Sequence, residues 1–131
     1  MDDTERRARG KAMFETVYGD VISLKDVAEG DDYIDNMVDQ LFAEIWTRDV
    51  LSMRDRRLLV LGALAAGGEA EMSEIHMRAA LGNGEMTAEQ LREVLVFMIH
   101  YIGYPKGARL HGAINRAIAQ QAGGQQEGGA A

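Results

Sequence analysis

The side chains best suited to chemistry in this chain are one imidazole, a run of guanidinium groups, and a carboxylate two residues from a tryptophan. The imidazole is His76, in the stretch Glu74-Ile75-His76-Met77-Arg78-Ala79-Ala80-Leu81-Gly82-Asn83-Gly84. Met72, Ile75, His76, Ala79 and Ala80 recur at the i, i+3, i+4, i+7, i+8 spacing of one helix face, so the ring is expected to point inward with the core residues. An imidazole titrates near neutrality, and one held in a partly dry place is a candidate acid or base. The same pattern also describes a packed histidine hydrogen-bonded to a neighbour.

Arg54, Arg56 and Arg57 fall in the first turns of a predicted helix. Cations there oppose the helix dipole, at roughly 0.3–1 kcal/mol each when exposed, and Asp55 offsets part of this. Binding a carboxylate would give the cluster a purpose, because the helix end and the guanidinium groups would act on one anion. Ion pairing with nearby acids is the alternative. The segment Glu44-Ile45-Trp46-Thr47-Arg48 offers a carboxylate, an aromatic wall and a cation within two turns. Packing of Trp46 and helix-end stabilisation by Arg48 account for the same residues. Tyr101 and Tyr104, which flank Gly103, are candidates for a pocket mouth or for packing. Neither His100 nor His111 stands in surroundings that single it out.

Six helical segments would position these groups. The first runs from about Asp3 to Tyr18 and stops near Gly19. The second follows Gly30-Asp31-Asp32 and presents Ile34, Met37, Val38, Leu41, Phe42 and Ile45 on one face, closing near Trp46 to Arg48. Ser52 is the expected N-cap of the third, with Asp55 at the capping-box position. That helix reads apolar on every side from Leu58 to Ala66, which predicts burial on every side, by a central position, a partner subunit, or both. The fourth, about Ala70 to Leu81, carries His76. Thr87 and Gln90 form a capping box for the fifth, which ends at Gly103. The sixth starts at about Pro105, where the missing N–H leaves no helical acceptor short of a donor. No stretch alternates as a strand would, so the fold class is all-α: a single-domain helical bundle, residues 1–121, with a solvated Gly/Gln/Ala-rich tail over 122–131.

The 131 residues carry a formal net charge of −7, which argues against nucleic acid as a partner. Acidity concentrates between Glu15 and Glu44, where Lys25 is the only basic residue. The chain has no cysteine, so thiolate catalysis, disulfides and thiolate metal sites are excluded. Its three histidines form no His-x-x-x-His pair, and no metal is expected. With no apolar leader at the N-terminus and no membrane-length apolar run, the chain reads as a cytoplasmic protein with no membrane partner.

Taken in order, Phe42-Ala43-Glu44-Ile45-Trp46-Thr47-Arg48, then Leu51-Ser52 with Arg56, then His76-Met77-Arg78-Ala79-Ala80 with Asn83-Gly84, then Tyr101-Ile102-Gly103-Tyr104-Pro105 resemble the carboxymuconolactone decarboxylase family. The resemblance covers about residues 5 to 120. It implies an alkylhydroperoxidase D-like fold assembled as a homo-oligomer, a trimer or hexamer. A redox branch of that superfamily uses a Glu, a Cys-x-x-Cys pair and a His; carried over from His76, the cysteines fall on Glu69 and Met72 and the glutamate on Arg57, leaving only the histidine. The other branch implies a cofactor-free lyase that decarboxylates a small carboxylated lactone in aromatic catabolism. In that reading His76 is the acid or oxyanion donor and Glu44 orients it. Arg48 and Arg56 hold carboxylates, and Trp46 and Tyr101 line the substrate. Departures from the pattern include Phe97, where the family commonly has a histidine, and the bulky Ile102. A non-catalytic oligomeric binding or accessory protein of the same fold is the alternative.

Overall fold

The structure is a computed structural model that describes residues 1–26 and 30–130, with the side chains of Asp26 and of residues 124–130 outside the described set. No strand occurs among the described residues, and the fold is all-α.

Helix α1 spans Asp3–Tyr18 and opens with a capping box. The Asp2 carboxylate accepts the Glu5 N–H at 2.8 Å, and the Glu5 carboxylate accepts the Asp2 N–H at 3.2 Å. Gly19 ends it at φ 56°, donating its N–H to the Glu15 carbonyl. After a short 3-10 turn, Leu24–Asp26, comes α2, Asp32–Asn36, capped by the Asp31 carboxylate.

Helix α2 runs directly into a π-helical stretch, Met37–Ile45, in which N–H groups reach five residues back, as Trp46 does to the Leu41 carbonyl. The wider turn moves the buried face. Val38, Phe42, Ala43 and Trp46 are buried, whereas Leu41 and Ile45, expected inside on α-helical spacing, are 41% and 44% exposed. Phe42 meets Phe14 edge-on at 5.1 Å and stacks on Trp46 at 6.2 Å, the offset geometries that aromatic quadrupoles favour.

Helix α3, Met53–Gly67, begins as expected with the Ser52 hydroxyl accepting the Asp55 N–H. It is not buried on every side. Only Arg57, Leu61 and Ala65, one stripe at i, i+4, i+8, are buried, and Leu59 is 64% exposed.

Helix α4, Ala70–Gly82, buries Ser73, His76, Met77, Ala79 and Ala80. Met72, expected inside, lies at the exposed margin because Ser73 takes its place on the stripe. Helix α5, Ala88–Ala130, starts with the Thr87/Gln90 capping box and is broken at Gly103, which sits at φ 80° and ψ 169°. The break divides it into two arms that correspond to the fifth and sixth expected segments. Gly107 lets the second arm approach Ile99 of the first closely enough that a Cβ would collide with it. The side chains of the expected 122–131 tail beyond Gly123 lie outside the described residues.

Contacts divide the chain into two units, Met1–Arg56 and Arg57–Ala131. In the first, α1 packs on the π-helical stretch; in the second, α4 packs on α5 around Leu61, Met77, Leu91, Leu110 and Ile114. Among the described residues no helix is long and apolar enough to cross a membrane.

Candidate functional site

The second unit holds His76 in a hydrogen-bonded chain of four side chains. Gly82-Asn83-Gly84 turns the backbone at the end of α4, with Gly84 at φ 70°, and the Glu85 N–H returns to the Ala80 carbonyl at 3.0 Å. That turn brings the Glu85 carboxylate against Arg57. Its two oxygens accept from Nε and Nη2 of the guanidinium at 3.0 Å each, and Asn83 Nδ2 donates to Oε2 at 3.1 Å. Arg57 Nη1 in turn lies 2.8 Å from His76 Nδ1.

Arg57 is fully buried and His76 is 3% exposed. A buried guanidinium is tolerable only when paired, and the two-pronged carboxylate supplies the pairing. A guanidinium has only donors, so Nδ1 must be the acceptor of this bond and the neutral ring carries its proton on Nε2. Burial first, and then the charge of Arg57, push His76 down to about 4, against an opposing pull from Glu85. At neutral pH the ring is an uncharged N–H donor.

In the first unit, Arg48 and Arg56 come together: Nη2 of Arg56 donates to the Arg48 carbonyl at 2.6 Å. Nε of Arg56 is buried with no hydrogen-bond partner among the described residues. Such a group is a place where an anion would be welcome. Glu44 forms an ion pair with Arg6 at 3.0 Å, and Trp46 is 8% exposed, stacked on Phe42. Arg7 forms a two-pronged pair with Asp39 and also reaches Asp35; this clamp raises Arg7 above, and holds Asp39 below, the ordinary range. Tyr101, in the second unit, is 76% exposed with its ring 5.4 Å from that of Phe97.

The expected set therefore falls into two groups, Glu44, Trp46, Arg48 and Arg56 in one unit and His76 and Tyr101 in the other. Orientation of His76, which the family resemblance assigned to Glu44, has in Arg57 a group in direct contact. The sequence marks Arg57 as one of three arginines at a helix start and as the counterpart of the redox branch's glutamate, and Asn83 as part of a family motif, but gives neither a contact with His76, and it does not single out Glu85. One signal was available. Arg57 lies four residues before Leu61 and eight before Ala65, on the stripe that is buried, and a cation there requires an acid from elsewhere.

The carboxymuconolactone decarboxylase family model matches residues 31–115, about two thirds of the chain. The chain belongs to this family. A search of curated proteins finds no match. The matched span includes Arg57, His76 and Glu85 as well as all the site residues expected from the sequence. Against the family pattern, the position of the redox branch's glutamate is Arg57, and this is the residue that touches the histidine. A carboxylate there would favour a protonated ring; a guanidinium opposes it. With no cysteine in the sequence, the dithiol half of that chemistry is missing too.

Proposed function

We propose that this carboxymuconolactone decarboxylase family member is a cytoplasmic, cofactor-free lyase that removes CO2 from a small carboxylated lactone. The observation that carries the reading is the 2.8 Å contact of the donor-only Arg57 Nη1 with His76 Nδ1, which leaves a neutral ring to carry its proton on Nε2. When the bond from the ring carbon to the carboxylate breaks, CO2 leaves and its electron pair moves through the conjugated ring to the lactone carbonyl. The new oxyanion needs a donor that does not itself lose its proton. A neutral imidazole meets that need, and such a donor is worth about 10²–10³ in kcat. Because a neutral imidazole is a poor acid, of the two roles considered for His76 the geometry favours the oxyanion donor. A proton from water then adds to the ring carbon as the oxyanion's electron pair returns, which completes the product.

Arg56, with its buried Nε, and Arg48 beside it are assigned to a second carboxylate, which fixes the substrate. The family resemblance alone assigns Trp46 and Tyr101 to the lining and Glu44, which pairs with Arg6, to orienting His76.

The test is an ultraviolet assay of γ-carboxymuconolactone turnover. His76→Ala is expected to lower kcat by about 10²–10³, and Arg56→Ala to raise KM with a smaller effect on kcat. Unchanged turnover in His76→Ala removes the residue from the mechanism. No turnover by the wild type, together with no rise in melting temperature on adding small dicarboxylates, favours the non-catalytic accessory reading, since a ligand that binds the native state stabilises it.

A further inference from the structure

We infer that Arg57 and Glu85 are positioning residues that lock His76 in a single tautomer, proton on Nε2, and so commit it to donating a hydrogen bond to an oxygen acceptor instead of delivering a proton. The purpose of such a lock rests on the proposed decarboxylation; its existence does not.

The geometry leaves little freedom. Arg57 is sealed from solvent, and its Nε and Nη2 are engaged by the two oxygens of Glu85 at equal 3.0 Å distances. A planar guanidinium held at two nitrogens has a fixed plane, so the third nitrogen, Nη1, is aimed where the ring lies, 2.8 Å from Nδ1. The alternative tautomer would set an N–H against a guanidinium N–H at that distance. Asn83 steadies the outer end of the chain at 3.1 Å from Glu85. The charged groups that act on the ring are Arg57, from α3, and Glu85, from the turn after α4. The cation is the one in contact, so a second proton on the ring is opposed by the same residue that places the first.

The order of the groups matters. In a carboxylate–histidine pair the acid accepts from Nδ1–H and stabilises the imidazolium, which suits a base that must take up a proton. Inserting a guanidinium between carboxylate and ring reverses both effects. The site is then matched to substrates that develop negative charge on oxygen, such as enolates and oxyanions of carbonyl compounds.

The test uses the full chain with its three histidines labelled with 15N, the His76 signals being assigned by their loss in His76→Gln. At pH 7 long-range 1H–15N spectra are expected to show Nδ1 as the unprotonated nitrogen and Nε2 as the protonated one, unchanged down to pH 5. A protonated Nδ1 at pH 7, or an imidazolium already formed at pH 6, overturns the inference.

The double variant Arg57→Leu/Glu85→Leu removes both charges together, avoiding a stranded one. In it the single-tautomer pattern should give way to a mixture, with the ionisation midpoint rising but still held below the ordinary value by burial. Retention of the wild-type pattern shows that the pair does not set it. Glu85→Gln, which keeps one acceptor oxygen toward Arg57 but removes the opposing negative charge, separates the charge from the contact. Its expected signature is the same tautomer with a lower midpoint, and a rise instead contradicts the assignment. All these readouts need no substrate, so a locked ring in a chain that fails to turn over the lactone would refute the proposed function alone.

Discussion

The proton that His76 declines to take in the folded chain has a measurable effect on stability. Its native value of about 4 lies below the ordinary 6.5, so between these limits the unfolded chain binds a proton that the native chain does not. The contribution is fully present above about pH 6.5 and is lost progressively as pH falls toward 4, by about 3 kcal/mol at most. Urea denaturation at pH 7, 5.5 and 4.5 should show this decline in the wild type and a shallower one in His76→Gln; parallel curves would show that the ring is not the source. Asp39, depressed by Arg7, acts in the same direction at lower pH, its share lost as pH falls below the ordinary carboxylate value. At this scale the sequence was half legible. Helical spacing was enough to place His76 inward. The partner of Arg57 was hidden because Glu85 lies 28 residues further on, beyond any local pattern.

Helix boundaries were the most legible elements, because their signals are chemical and local. Ser52, Thr87 with Gln90, and Gly103 ahead of Pro105 each act where their type demands. The π-helical stretch carried no such signal: its residues are ordinary helix formers, and only packing reveals that each N–H reaches one residue further back. Its placement against α1 depends on Gly10, where an added Cβ would strike the Val38 carbonyl. Gly10→Ala is therefore expected to destabilise the chain by about 1–3 kcal/mol despite alanine's better helix propensity. A thermal or denaturant melt checks this, and a neutral or stabilised variant would mean that α1 and the stretch do not approach as closely as described.

For the molecule as a whole, apolar surface points to self-association. Leu59, Val96 and Phe97 are 64%, 56% and 60% exposed, and Tyr101 and Tyr104 are 76% and 79% exposed. Apolar exposure of this extent marks interaction surfaces more often than idle ones. The half of α3 left bare in one copy is what the all-round apolar pattern would lead one to expect if further copies cover it. A trimer or hexamer is the proposed state. Light scattering coupled to size exclusion should give three or six times 14.4 kDa, and Phe97→Glu should lower it, because an ion buried at an interface without a partner is costly. A wild type that elutes as a monomer would sink the proposal. The family was legible from the order of its motifs, whereas the subunit count was not, since periodicity says that a face is apolar and not how many copies meet there.

The buried guanidinium also constrains how this chain can change over generations. Losing Glu85 alone strands a cation, losing Arg57 alone strands an acid, and either loss frees the ring. Each single step is penalised until the others follow, so the three positions should drift together or not at all. A lineage that altered the chemistry at His76 would have to cross that barrier by a paired replacement, and the pair, more than the histidine itself, would record the crossing.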